Sequence, residues 1–336
     1  MFLPATGKSF TWMSKKIWLL GIFVFLLLLI VPFWGIIPID WQTILGHNPN
    51  SFVFWQLRVP RTILGFVAGA ILALAGLVCQ NLFKNNLATP DLLGISSGAA
   101  AGAVLALKFN LFVTFLGLGG MVLFSYLGAL SSVLLVLLIS RMVRNMSLYT
   151  FLMCGVALNF FYSALIVFFQ YLFDFSNTFS LLRWLMGGIS VVGYHENIFL
   201  GVLLLVFLLA IFVFKKEFLL VSAGDHFAQS RGLQVAHFRI YSFLGLAFIV
   251  GAVVSVCGPI GFIALIVPHI SRLWGRSNYG ETVVFSMLLG GGFLVLADFL
   301  ARALIPPVDV PVGIITSLFG APFFLVLIIS QLKKTE

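Results

Sequence analysis

Apolar runs long enough for membrane helices recur along almost the whole chain, separated by short polar breaks. A spanning helix needs roughly 20 apolar residues. On that measure there are ten candidates: 17–34, 60–82, 92–107, 114–139, 149–172, 197–214, 240–257, 259–272, 282–304 and 311–331. A short extra helix is expected at 183–193, just ahead of the sixth span. The spans at 92–107 and 259–272 are short enough that a re-entrant loop is the alternative. Small residues recur at helical spacing: Gly65-x-x-x-Gly69-x-x-x-Ala73 on one face of the second span, Gly98-x-x-x-Gly102 in the third, and Gly290, Gly291 and Gly292 together in the ninth. Such spacing lets helix backbones approach closely where lipid supplies no hydrophobic drive. The pattern predicts an all-α polytopic bundle, residues 1–336 forming a single transmembrane domain.

Composition agrees with that class. The chain is 61% hydrophobic and 9% charged, with a mean hydropathy of +1.15; soluble domains carry about 25% charged residues. A net charge of +9 raises the question of nucleic acid. The basic residues instead punctuate apolar spans, which makes them topology signals. With the N-terminus inside and ten crossings, Lys8, Lys15, Lys16, Lys84, Arg141, Arg144, Lys215, Lys216, Arg231, Arg239, Arg272, Arg276, Lys333 and Lys334 fall inside. Arg58, Arg61, Lys108, Arg183 and Arg302 fall outside or near the outer ends. Removing the crossing at 92–107 would move Arg141 and Arg144 outside. Removing that at 259–272 would move Arg272 and Arg276. The positive-inside rule therefore favours ten crossings with both termini cytoplasmic.

The first apolar run follows Lys15 and Lys16 as a signal peptide would. It lacks a small-residue cleavage pattern and ends in Pro32-Phe33-Trp34-Gly35, so it reads as a retained span. Cys79, Cys154 and Cys257 stand singly in apolar segments, without disulfide or metal spacing. Histidines His47, His195, His226 and His237 sit in loops and His269 at a helix end; none pairs with another at ligand spacing, and no metal site is expected.

Ionisable residues inside spans are scarce. Asp298 and Arg302, four apart in the ninth span, are the main exception and are placed to pair on one face. An ion-coupled secondary transporter usually needs a relay of buried carboxylates or histidines, and a membrane-embedded enzyme needs clustered polar groups; neither pattern is visible. The longest polar interruption, 215–239, falls inside. Within it, Gly224-Asp225 gives a helix start, Phe227, Ala228 and Leu233 an apolar face, and Gly232 a stop. A short amphipathic helix exposed in a cytoplasmic loop is suited to a groove on a partner.

From about Trp55 to Leu332 the chain resembles the FecCD family, the permease subunits of ATP-binding-cassette importers for iron siderophores, haem and vitamin B12. The resemblance rests on RVPR followed by GAILALAGLVCQNLFKNNLATPDLLGISSGAAAG, CGVALN at 154–159, RWLMGGIS at 183–190, GDHFAQSRGLQV at 224–235, CGPIGFIALIVPHISRL at 257–273, LADFLAR at 296–302 and VPVGIITSLFGAPFFLVLI at 310–328, all in the family's order. It implies a type II importer permease fold and two permease subunits, as a homo- or heterodimer, around one path. It further implies two cytoplasmic ATPase subunits that carry ATP and magnesium, a solute-binding protein outside, and no cofactor, metal or catalytic residue in this subunit. Ferric siderophore is the first expectation for cargo, then haem, then cobalamin.

The same resemblance assigns roles to residues. Arg58, Arg61 and Arg302 would grip acidic residues on the binding protein. Gly224, Asp225, Phe227, Ala228, Arg231 and Gly232, in the 215–239 coupling loop, would seat on the ATPase. Asn85, Asn86 and Leu87 with Leu148 and Tyr149 would form the cytoplasmic gate, Asn86 replacing the proline of the family's usual Asn-Pro-Leu-Ala and implying a less rigid loop. The 183–193 helix would be the outer gate, with Gly187-Gly188 as a hinge.

Overall fold

The structure, a computed structural model, describes residues 7–35, 39–40, 44, 49–109, 111, 119–142, 148–274, 278–305 and 308–332. The start of the expected fourth span (114–118), His47, Arg144, Arg276 and Lys333-Lys334 lie outside the described residues. Thirteen helices carry the argument: α1 (Gly7–Ile30), α2 (Val59–Phe83), α3 (Ile95–Lys108), α4 (Gly120–Met142), α5 (Leu148–Tyr171), α6 (Phe175–Leu185), α7 (His195–Val213), α8 (Lys215–Ala223), α9 (Asp225–Ser230), α10 (Val235–Cys257), α11 (Ile263–Trp274), α12 (Tyr279–Ala303) and α13 (Val312–Leu332). Among the described residues, seven helices are long and apolar enough to cross a membrane, and three apolar ones are shorter: Ile95–Lys108, Ile263–Trp274 and Val312–Val326. These ten helices lie where the hydropathy pattern places its ten candidate spans. α3, of 14 residues, and α11, of 12, reach about 21 and 18 Å at 1.5 Å per residue, short of a hydrocarbon core of about 30 Å.

The chain divides into two compact units, with breaks inside α2 and α7 and at 188/189 and 260/261. In the first unit (1–77, 189–204, 261–336), α12 packs against α1, α11 and α13. The small-residue face of α2 meets the glycines of α12. A Cβ on Gly69 would lie 2.3 Å from the Gly290 carbonyl oxygen, and one on Gly290 2.4 Å from the Ala73 Cβ. Gly291 faces the Phe66 ring and Gly292 faces Val24. All three glycines of the ninth span are therefore packing surfaces, each against a different neighbour. Pro60 stands at the second position of α2, and the stretch before it, Val53–Arg58, is π-helical, with the Val59 N–H reaching Phe54 O. Proline donates no amide hydrogen bond and its ring crowds the carbonyl four residues back, so the preceding turn widens.

In the second unit (78–188, 205–260), α3 lies closely along α4, and α10 packs on both. Gly98 and Gly102 supply the contact: their Cβ atoms would sit 2.5 Å from Gly128 O and 2.0 Å from Phe124 O. Gly128 answers from the other side, 2.1 Å from Gly98 O, in a role its isolated position in the sequence does not announce. The polar break before α3 is held by side chains. Asn159 of α5 donates to Asp91 O at 3.1 Å and accepts from Ser97 Oγ at 2.5 Å, while Ser132 donates to Leu93 O at 2.8 Å. Ser96 donates to the Asp91 carboxylate. The bonds to Asp91 O and Leu93 O satisfy carbonyls of the 3₁₀ turn Pro90–Leu93 that an apolar bundle would otherwise leave bare.

One expectation is corrected. The short extra helix is not at 183–193 but at Phe175–Leu185. Gly187 (φ +69°) stops it, and Gly193 (φ +81°) closes the irregular stretch before α7. A Cβ on Gly187 would lie 2.3 Å from Pro259 O, and Gly188 N donates to Cys257 O at 2.8 Å. Left-handed glycines stop helices rather than continue them, so Gly187, read as a hinge within the helix, is its terminator.

Candidate functional site

Three arginines assigned to docking gather in the first unit around a cavity of about 1010 Å³ that Trp34, Glu196 and Asp309 also line. Each is placed by a different piece of backbone. Arg58 ends the π-helical stretch, Arg61 lies on the first turn of α2, and Arg302 on the last turn of α12. Arg58 is buried, at 8% exposure. Its Nη1 donates to Pro32 O at 3.5 Å and Phe33 O at 3.4 Å. Gly35 lies so close that a Cβ there would come 2.5 Å from the Arg58 Nη2.

Arg61 and Arg302 share one carboxylate. Asp298, whose side chain is 3% exposed, takes Arg61 Nη2 at 2.9 Å and Arg302 Nη2 at 3.0 Å. The Arg302 pair is the i, i+4 contact that the sequence offers. The Arg61 pair joins residues 237 positions apart and is invisible in it. Arg61 also reaches Asp309 through Nη1 at 2.9 Å, and Asp309 is 45% exposed. The arrangement is a ladder: a buried anion fixes two cations, and an exposed anion holds the outer side of one of them. Asp309 and Glu196 are the charged residues here that sequence reading missed; both are acids near helix ends with no motif to mark them.

The residues that the resemblance assigns to coupling and to the gate lie in the second unit. Gly224 has φ +145° and ψ +146°, a conformation that separates α8 from α9. Gly232 (φ +84°) follows α9. Ala228 is fully buried with Val221 and Val235, against Leu220, Leu233 and Phe238. Phe227 is exposed, and Arg231 stacks over its ring at 5.4 Å. The helix start, stop and apolar face fall where the sequence places them, although the inward face is made by Ala228 rather than Phe227. Asp225 opens α9. It receives a bidentate pair from Arg239, at 2.8 Å to each oxygen, and Lys84 Nζ at 2.5 Å.

Partial burial works against the Asp225 charge, but the hydrogen bonds and charges of Arg239 and Lys84 outweigh it and hold the carboxyl below its usual range. A lowered folded-state value means that the stabilisation is complete above the unfolded value, about 3.9, and is lost as pH falls through the lowered one. Amide-exchange protection factors over 225–239 should therefore stay level from neutral pH to about 5 and fall only below about 4. Loss of protection near pH 6 would contradict the pairing.

Asn85, Asn86 and Leu87, the first segment assigned to the gate, form a tight turn after the end of α2. Asn85 N donates to Gln80 O at 3.2 Å, Leu87 N donates to Asn85 Oδ1 at 2.9 Å and Ala88 N to Asn85 O at 3.1 Å. The Asn85 side chain thus supplies a constraint in a loop that lacks the family's proline. Asn86 is exposed. Leu148 begins α5, and Tyr149 is exposed.

This geometry defines an all-helical, multi-pass membrane protein: about ten apolar helices, a short helical loop between the sixth and seventh, and an arginine cluster at helix ends. The comparisons carry the assignment further. The FecCD transport family matches residues 19–330, and the chain belongs to it. It is 34% identical over 300 residues to the vitamin B12 import system permease protein BtuC of Escherichia coli O6:H1, covering 88% of this chain and 87% of that one. It is 33% identical over 283 residues to an iron chelatin transport system permease protein of Helicobacter pylori, covering 83% and 84%. A solved metal-chelate type ABC transporter in an inward-facing conformation superposes with a TM-score of 0.84 at 28% identity, over 94% of this chain and 99% of that one.

Proposed function

We propose that this chain is the permease subunit of an ATP-driven importer that moves a chelated metal, a ferric siderophore first and haem or cobalamin after it, into the cytoplasm by alternating access. The observation that carries the reading is the family match along nearly the whole chain together with a whole-chain superposition on a metal-chelate transporter. On this reading residues 1–336 act as one permease domain in the cell (inner) membrane with both termini cytoplasmic. A second permease copy or homologue completes the path. Two ATPase subunits hold ATP and magnesium, and this subunit holds neither cofactor nor metal and is no enzyme. Asn85, Asn86, Leu87, Leu148 and Tyr149 close the inner end of the path, and Gly224, Asp225, Phe227, Ala228, Arg231 and Gly232 meet the ATPase. Uptake of ferric siderophore, haem and cobalamin by cells carrying an intact or a disabled partner ATPase tests this. Uptake of one of them should vanish with the ATPase, and uptake that persists would refute the reading.

Arg58, Arg61 and Arg302 dock the solute-binding protein. Charge at such a surface acts mainly on encounter and orientation. Association of the binding protein should slow as salt rises. Arg302→Gln should lower the association rate at low salt by about tenfold while changing it little at high salt. Salt-independent association would remove the arginines from docking.

A further inference from the structure

Two side chains four residues apart on α10, Arg239 and Phe243, touch the coupling helix and residues flanking both gate segments. Residues four apart on a helix share a face. Arg239 holds Asp225, the first residue of α9, by both oxygens. The same carboxylate takes Lys84, which directly precedes Asn85-Asn86-Leu87. Lys84 has φ +51°, a left-handed conformation uncommon for a residue with a Cβ. Phe243 is buried and stacks on Phe151 with centroids 4.7 Å apart and planes at 20°. Its ring also lies 5.0 Å from that of Phe83, and Phe83 and Phe151 are 6.2 Å apart. Phe83 is the neighbour of Lys84, and Phe151 follows Tyr149 by two residues. The ion cluster thus ties the first gate segment to the coupling helix, and the aromatic cluster ties both gate segments to the same end of α10.

We propose that the N-terminal part of α10 is the joint through which movement of the coupling helix reaches both gate segments together, with Asp225 as its pin and Lys84 and Arg239 as positioning residues. The proposal rests on the importer reading above. A close-packed aromatic cluster has little room to shear, so its three members move as one. The bidentate Arg239 pair gives α9 a directional hold that a single charge would not. Lys84 then adds the direct link from pin to gate loop.

The test uses the assembled complex with its ATPase. Asn86→Cys, in a Cys154→Ala background, reports gate exposure by its rate of maleimide labelling with and without ATP. In this reporter protein ATP should change the rate. Lys84→Asn removes the ammonium while keeping a residue type that enters the left-handed region readily. It should leave ATPase attachment and hydrolysis in place but abolish the ATP-dependent change in labelling, and Lys84→Arg should restore it. A change that survives in Lys84→Asn overturns the joint while leaving the importer reading standing. Labelling that ignores ATP in the reporter complex itself, with the ATPase attached and hydrolysing, overturns the importer reading and the joint with it.

Discussion

Replacing Asp298 with alanine should be among the most damaging single changes in the protein, costing about 3 kcal/mol of stability. The reason is asymmetry. Removing one member of a buried ion cluster leaves the others desolvated without compensation, and here one carboxylate serves two guanidinium groups. The Asp298 side chain is 3% exposed, against 18% for Arg61 and 15% for Arg302, so water reaches the arginines only partly. Arg61 keeps Asp309 in the variant, and this holds the loss near the low end of the range for buried pairs. Asp309→Asn is the natural control. Its partner is the same Arg61, but Asp309 lies 45% exposed, and exposed pairs contribute at most about 1 kcal/mol. Thermal inactivation in detergent should rank wild type and Asp309→Asn together, with Asp298→Ala far below. Equal loss in the two variants would mean that the buried carboxylate does not organise the cluster.

Gly76→Ala should be comparably severe, because the space for one methyl group is absent. A Cβ at Gly76 would lie 1.9 Å from Ala264 O, 2.6 Å from its carbonyl carbon and 2.7 Å from its Cα. All three atoms are backbone, so no side-chain rotation relieves the clash and the segments must separate. Overpacked substitutions cost about 1–3 kcal/mol when side chains can yield; with backbone on the other side the upper end applies. Gly102→Ala, 2.0 Å from Phe124 O, should behave alike. Gly201→Ala isolates the effect: nothing lies within 4 Å of a Cβ there, and alanine in mid-helix gains about 0.5–1 kcal/mol over glycine. Gly201→Ala should therefore be neutral or slightly stabilising in the same inactivation assay. A Gly76→Ala protein as stable as Gly201→Ala would contradict the close approach.

Those two sites also mark what the sequence reveals and what it hides. Apolar run length is a property of contiguous residues, so the spans and the helical loop at 224–232 are legible. Small residues at i, i+4 announce a face, and Gly69, Ala73, Gly98 and Gly102 lie where that rule puts them. The partner across the contact is not announced. Gly128 and Ala264 carry no repeat, and their roles depend on which helix lies opposite. The same holds for charge. Asp298 with Arg302 is readable because four residues make one helix turn, whereas Arg61 with Asp298 and Lys84 with Asp225 depend on how distant segments meet. The misplaced helix has a local cause. Residues 183–193 read as a helix with a hinge at Gly187-Gly188, but a positive φ at Gly187 makes that stretch an ending. The helix itself lies upstream, opening just after Asp174, in a stretch whose phenylalanines resemble the tail of the preceding span.

The central claim is that this chain works only as part of an ATP-driven assembly. Gentle detergent extraction of the tagged protein from native membranes, followed by mass spectrometry of the intact complex, tests it most directly. The account predicts a stoichiometric pair of subunits bearing a phosphate-binding loop, together with a second permease chain whose mass tells copy from homologue. A chain that emerges alone, folded and monodisperse, under conditions that preserve other transporter complexes from the same membranes, would contradict it.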